Sequence, residues 1–410
     1  MVTRVLSPPP ELIPGQANIV GTDAYIRLFL APNTGAEHFR RICTKVPGIG
    51  DLLVSSLGID TGGGPETDEG DTDYRRSVTR ALALGINIID TSISYRSMRS
   101  ERAVGWALAR AVAEGRIERP QVVVCTKGGY LTFECDRPAY NLNPKQWIEN
   151  TYFKRGIISS WADIVHGIHC IAPKFIRNQV ERSRKNLGLQ TIDIYYLQNP
   201  EVQLLAVSRE EFYRRMVYAF KTLEELCVEG KICIYGVSSW NGFRVPYESE
   251  DHLSLEDCIH AAHAAGGENH HFRVVQVPFN LQMREASESP TQEVKDELMS
   301  FLGAAAHFGL HVIACGALQQ QKLTSYCGDI IRDQRLPIQV LNCIADLGDQ
   351  ATDAQCALQF ARTTPGIVSA IAGMKTYFHV EENAEIVKRL ASYQFHPVLN
   401  VDPFQWRLGD

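Results

Sequence analysis

Eight short apolar segments recur along the chain, each followed by a stretch with helical periodicity. The strand-like segments are residues 52–59, 86–90, 122–126, 192–197, 232–237, 274–277, 310–314 and 367–371. The helical stretches between and after them are 71–84, 100–113, 173–187, 209–229, 253–265, 293–308, 352–362 and 380–390. Several end at a glycine (Gly85, Gly188, Gly230, Gly309), which suits the left-handed residue that closes a helix, and Ser100 is placed to cap the second. Short strands that are apolar throughout belong in a parallel sheet covered on both faces. Eight such units are the number that closes a (β/α)8 TIM barrel, an α/β fold. An open doubly wound sheet is the alternative, and it needs a reversal of strand order.

Two segments stand outside the repeat, an N-terminal extension at 1–50 and a long loop after strand 3, at 128–172. The barrel itself runs over 51–395, and a C-terminal tail at 396–410, with Pro397, Pro403 and Trp406, reads as a surface strap. The extension either plugs the bottom of the barrel or reaches over a neighbouring subunit. A loop as long as 128–172 is usually functional, and in a barrel it overlies the C-terminal face, where active sites lie.

Composition narrows the function. Apolar residues make up 45% of the 410, which excludes a disordered chain. A net charge of −6 argues against nucleic acid and membrane surfaces as partners, since both need a basic face. No apolar run is long enough to span a bilayer, and residues 1–15 lack the apolar core of a signal peptide. The 11 cysteines are scattered, with no closely spaced pair, which suits reduced thiols in a cytoplasm. His166, His169 and Cys170, and the loose group His260, His263, His270 and His271, lack the ligand sets of a metal site, so no metal is expected.

At the strand ends stand Asp90, then Tyr95 five residues on, Lys127, Gln198, Ser238, Ser239 and Gln276. An ordinary tyrosine is a poor acid near neutrality. A lysine beside it favours the phenolate, and an aspartate keeps that lysine charged and aimed. Such a tyrosine can donate a proton to a carbonyl oxygen as hydride arrives at the carbon, and take it back in the reverse direction. The plainer reading makes Asp90 a loop cap and Lys127 a solvated side chain; spacing alone leaves both open.

Ordered motifs add a resemblance. The string Gly85-Ile86-Asn87-Ile88-Ile89-Asp90-Thr91, running on to Tyr95 with Ser100-Glu101 and Gly105 behind it, resembles the first signature of the aldo-keto reductases. Cys125-Thr126-Lys127, Ile192-Asp193-Ile194-Tyr195-Tyr196-Leu197, Gly236-Val237-Ser238-Ser239-Trp240, Gln276-Val277-Pro278-Phe279-Asn280 and Glu381-Glu382-Asn383 are similar to its later elements. The resemblance implies a nicotinamide-dependent oxidoreductase that interconverts a carbonyl and an alcohol. Asp90, Tyr95 and Lys127 would occupy three of the four catalytic positions. Ser238, Ser239 and Gln276 would hold the nicotinamide carboxamide. Further cofactor contacts are implied at Thr61, Gly316, Leu318, Gly373, Lys375, Thr376, His379, Glu382 and Asn383. NADP is the cofactor implied, with NAD possible, and the partner is a small-molecule carbonyl or alcohol.

Three departures stand out. Gln198 occupies the usual histidine position; it can donate one N–H to a carbonyl but cannot titrate near neutrality. His166 or His169 on the long loop is a conceivable substitute imidazole. The phosphate end has Lys375 displaced and His379 in place of an arginine, at a helix expected to begin near His379. Gln321 stands where the pyrophosphate loop usually has glycine. Trp147 and Trp161 of the long loop would cover the substrate. Two alternatives remain: an epimerase or lyase using transient redox, and a non-catalytic cofactor sensor.

Overall fold

The repeating units close on themselves. In the computed structural model, described for residues 6–29, 37–134, 143–319, 322–324, 341, 344–348 and 350–389, two antiparallel strands, β1 (Phe39–Ile42) and β2 (Leu52–Ser55), precede a parallel barrel. Its strands are β3 (Leu57–Asp60), β4 (Ile88–Asp90), β5 (Val123–Gly128), β6 (Ile192–Gln198), β7 (Ile232–Ser238), β8 (Phe272–Pro278), β11 (His311–Cys315) and β12 (Ile367–Gly373), with β12 pairing back onto β3. A small hairpin, β9 (Gln292–Val294) with β10 (Glu297–Met299), interrupts the run. This is the (β/α)8 barrel.

Strand parity divides the core in two. Val123 and Cys125 of β5, Ile194 and Tyr196 of β6, Ile234 of β7, Val274 of β8, Ile313 of β11 and Ile371 of β12 fill the barrel interior. Their neighbours Val124, Tyr195, Leu197, Tyr235, Val275 and Val277 face outward and pack under the helices. Successive side chains on a strand alternate faces, so the inward series on β5 continues to Lys127 and that on β6 to Gln198. The same counting brings Asp60, Asp90, Ser238, Gln276 and Cys315 to the inner face at the upper rim.

The strand expected at 52–59 is in fact two. Its first half pairs with β1 in an antiparallel hairpin under the barrel, and its second half enters the barrel wall. The break falls at Ser56, whose N–H donates to the His38 carbonyl at 2.6 Å. Asn87 ties the hairpin to the wall, accepting from Ser55 N at 2.8 Å and donating to the Leu53 carbonyl at 2.9 Å. Ile42, Leu52 and Val54 of the hairpin, with Ile49 and Ala17, join the interior cluster and close the barrel's lower end.

Two helix expectations are corrected. The helix expected at 293–308 is only Phe301–His307, capped by Ser300, because 292–299 forms the β9–β10 hairpin. Its two turn residues, Lys295 and Asp296, have φ of 53° and 65°, the paired left-handed geometry of a tight hairpin turn. Ser100 is not a cap, since its helix begins at Arg99 and its hydroxyl donates to the Thr61 carbonyl at 2.7 Å. The tail 396–410 and Gln321 lie outside the described residues.

Candidate active site

The upper rim carries a continuous chain of hydrogen bonds. The Lys127 ammonium forms an ion pair with Asp90 Oδ2, with both side chains almost wholly buried. It also donates to the Thr91 carbonyl at 2.9 Å and to the Tyr95 hydroxyl at 3.3 Å. The other Asp90 oxygen accepts from Gln276 Nε2 at 3.0 Å, and Gln276 Oε1 accepts from Ser238 Oγ at 2.8 Å. Four strand ends are thereby locked together, and Asp90, Tyr95 and Lys127 meet in space.

Charge follows from burial and partners. Burial alone would push the Lys127 ammonium down, but Asp90, Tyr95 and Asp60 outweigh it and hold it above its ordinary value. Lys127 does act on Tyr95 in the direction expected. Burial nevertheless dominates, assisted by Asp60 and Asp90, and the phenol is raised well above 10. Tyr95 is therefore a protonated donor across the physiological range, poised against a fixed cation.

Gln198 stands at the end of β6 facing this chain. Its Oε1 accepts from Ser92 Oγ at 3.0 Å, which leaves Nε2 without a partner among the described residues and free to donate. His169 does not replace it as an acid. The imidazole is fully buried beneath, with Nε2 at 2.8 Å from the Gln198 carbonyl and Nδ1 at 2.9 Å from Gln203 Nε2. A carbonyl only accepts and an amide N–H only donates, so the proton sits on Nε2 and the ring is neutral. Burial lowers its pKa to about 4, against the Gln198 carbonyl, which favours the charged form. His169 thus anchors the backbone of Gln198. Gly129 makes room for it: a Cβ there would stand 2.8 Å from the Gln198 carbonyl oxygen and 2.9 Å from His169 Nε2.

His169 takes up a proton near 6.5 when unfolded but only near 4 when folded. The unfolded chain therefore binds more protons between those limits, and the fold loses roughly 3 kcal/mol to this residue as pH falls from 6.5 to 4. Denaturation midpoints measured across that interval are expected to fall more steeply for the native protein than for His169→Gln.

Other expected contacts fare unequally. Ser239 lies one residue past the end of β7, and its hydroxyl donates to Glu201 at 2.8 Å. That bond uses its one hydroxyl donor and leaves the oxygen able to accept. The Thr61 hydroxyl is likewise engaged, with Thr91 at 2.8 Å. Trp147 is buried, with its ring centroid 4.1 Å from that of Phe133, in a small core inside the long loop; Trp161 is exposed against Phe153. Trp240 is a second exposed indole, lying near Gly316 just after β11. Sequence reasoning did not single out Asp60, Ser92 or Trp240; the strand parity that marks Lys127 would have marked Asp60.

The phosphate end fits a nucleotide in its donor set. The helix Tyr377–Ala384 begins two residues earlier than expected, so His379 lies in its first turn. Thr376 stands at the N-cap with no side-chain capping bond, beside Lys375. The Lys375 stem packs over Gly64, 2.9 Å from where a Cβ would stand. Leu318 is buried, whereas Gly373 is exposed, with nothing within 4 Å of a Cβ there. Asn383 Oδ1 and Gln319 Oε1 are buried acceptors without a partner among the described residues, which suits donors such as ribose hydroxyls or an adenine amino group.

The sequence matches the model of the aldo/keto reductase family over residues 56–399. The chain belongs to the aldo/keto reductase family. Within it, the chain is 30% identical over 203 residues to the NADH-specific methylglyoxal reductase of Escherichia coli (strain K12), a match covering 48% of this chain and 52% of that protein. The chain thus spans about half the length of the curated relative it matches. Its fold is that of a glycerol dehydrogenase from Gluconobacter oxydans (TM-score 0.54, 21% identity, 86% of this chain and 90% of the other). An aldo/keto reductase from Klebsiella pneumoniae, solved with NADP and acetate, is similar in fold (TM-score 0.51, 19% identity, 83% and 88% covered). No helix among the described residues is long and apolar enough to cross a membrane.

Proposed function

We propose that this aldo/keto reductase interconverts a carbonyl and an alcohol with a nicotinamide cofactor, Tyr95 serving as the general acid and base. The observation that carries the reading is the buried line Asp90, Lys127, Tyr95, in which a fixed ammonium touches a protonated phenol at the barrel rim. A bound reduced nicotinamide supplies the hydride. Gln276, tied to Ser238 and Asp90, would hold its carboxamide, while Lys375, Thr376 and Asn383 would hold its far end.

The protein's own residues do the rest. Gln198 Nε2 orients the substrate oxygen toward Tyr95. As negative charge develops on that oxygen, the Tyr95 hydroxyl gives up its proton, and Lys127 stabilises the phenolate left behind. Asp90 keeps Lys127 from turning away. In the oxidation direction Tyr95 must first lose its proton, which its burial opposes, before the phenolate can take up the alcohol proton. A small oxygenated carbonyl is the substrate class, in line with the methylglyoxal reductase relative, and Trp240, exposed beside Gly316, would supply an apolar wall. Lys375 supports NADPH as the cofactor, whereas the same relative is NADH-specific. The free thiols of Cys43, Cys125, Cys170, Cys227, Cys233, Cys258 and Cys315 support a reducing, cytoplasmic setting.

The test is a fluorescence titration with NADPH and with NADH, followed by turnover of methylglyoxal. Tight binding of NADPH and aldehyde-dependent consumption of it are expected. Failure of both cofactors to bind would overturn the reading, and binding of NADH alone would correct the cofactor.

A further inference from the structure

Asp60 is a carboxylate that the proposed chemistry does not use. It ends β3 with its side chain on the inner face, paired in register with Asp90 across the β3–β4 ladder. Its Oδ1 accepts the Gly62 N–H at 3.2 Å. Its Oδ2 accepts no hydrogen bond from a side chain among the described residues. The position above Gly62 that a Cβ would occupy lies 3.3 Å from Asp60 Oδ2 and 3.1 Å from Tyr95 Cε2. The Oδ2 oxygen and the phenol ring therefore flank one small space.

The charge of that space is set by few groups. From β4 comes Asp90 and from β5 Lys127, and these two balance each other. Tyr95 follows β4, and Cys315 from β11 and Tyr74 from the helix Asp68–Ala83 also lie within electrostatic reach. The Tyr74 hydroxyl donates to the Gly63 carbonyl at 2.6 Å. Arg96, stacked over Tyr74, is paired with Asp71, and the Lys375 stem is packed over Gly64. Asp60 is thus the surplus negative charge of the rim.

We propose that Asp60 is the group by which the site discriminates an oxidised nicotinamide from a reduced one. The inference rests on the cofactor reading above. A ring that delivers hydride to a carbon whose oxygen reaches Tyr95 must lie among these same strand ends. The oxidised ring carries a positive charge and the reduced ring is neutral, so an ionised Asp60 favours the first. Burial and the Asp90 carboxylate push the Asp60 carboxyl up to about 7, against Lys127 and the Gly62 N–H. Its charge is therefore gained as pH rises through neutrality. The oxidised cofactor selects the ionised form and releases a proton on binding below that point.

The experiment measures affinities for both redox forms of whichever cofactor the protein binds, between about pH 5.5 and 8.5. Native protein, Asp60→Asn and Asp60→Ala are compared. The ratio of oxidised to reduced affinity cancels effects common to both forms, including titration of a 2′-phosphate. In the native protein the ratio is expected to rise about tenfold with pH, the scale of one unit charge a few ångströms away. In Asp60→Asn it should stay at the low-pH value throughout. A flat native ratio, or the same pH trend in both variants, overturns the inference while leaving cofactor use intact. No binding of either form to the native protein overturns both readings together.

Discussion

Tyr95→Phe is expected to lower kcat by roughly 10²- to 10⁴-fold, with little change in cofactor affinity. The substitution removes one oxygen and leaves the ring in place. That oxygen is the group at 3.3 Å from Lys127 Nζ, and the Lys127 ammonium keeps its stronger partners, Asp90 and the Thr91 carbonyl at 2.9 Å. The charge of the site is thus preserved while its proton donor is lost. Fluorescence titration and steady-state turnover, made side by side, check this. A variant that keeps its turnover would remove Tyr95 from the chemistry. A variant that also loses the cofactor would show that the hydroxyl holds the ligand rather than the proton. A pure sensor predicts no turnover in either protein, so the native rate alone separates the readings.

Gln198 bears on how these rates depend on pH. An amide does not titrate, so the position that would otherwise carry an imidazole contributes no neutral pKa. His169 does not supply one either, since it is held neutral to about pH 4 under the Gln198 backbone. Burial and the Asp90 carboxylate push the Asp60 carboxyl up to about 7, so this rim group changes charge near neutrality.

Much of this arrangement is written in alternation along single strands. Val123, Cys125 and Lys127 share a face, as do Ile194, Tyr196 and Gln198. An apolar series ending in a polar residue marks the end of a barrel strand and aims that residue at the site. The alternation stops at Ser238, the last residue of β7, so it assigns no face to Ser239. Asp60 escaped notice because the apolar run at 52–59 hides the break at Ser56, so the strand reads as ending one residue early. The β9–β10 hairpin escaped because its turn is Lys295-Asp296 with no glycine to mark it. The support that His169 gives Gln198 joins residues far apart in sequence, and no local pattern records it. Trp147 looked like a substrate cover because an indole in a loop has no periodic context. Its packing on Phe133 and Tyr152 exists only once the loop has folded.

The second large effect concerns the barrel itself. Lys127→Met is expected to lower stability by about 3–5 kcal/mol, because it leaves Asp90 buried without its cation. The lysine is almost fully enclosed, and its stem lies within the barrel wall, so methionine matches its volume but not its charge. Asp90 would then face Asp60 with only Gln276 Nε2, at 3.0 Å, to support it. Two carboxylates without a cation between them raise each other's pKa. With the folded-state pKa of Asp90 pushed above the ordinary carboxylate value, the destabilisation is small in acid and grows as pH rises through that raised pKa. Denaturant midpoints at several pH values are the measurement. The double variant Asp90→Asn, Lys127→Met should recover a large part of the loss, since it removes the stranded charge along with its partner. If the single and double variants are equally unstable, the cost lies in packing rather than charge. In that case Asp90 would not be what holds Lys127 at the rim.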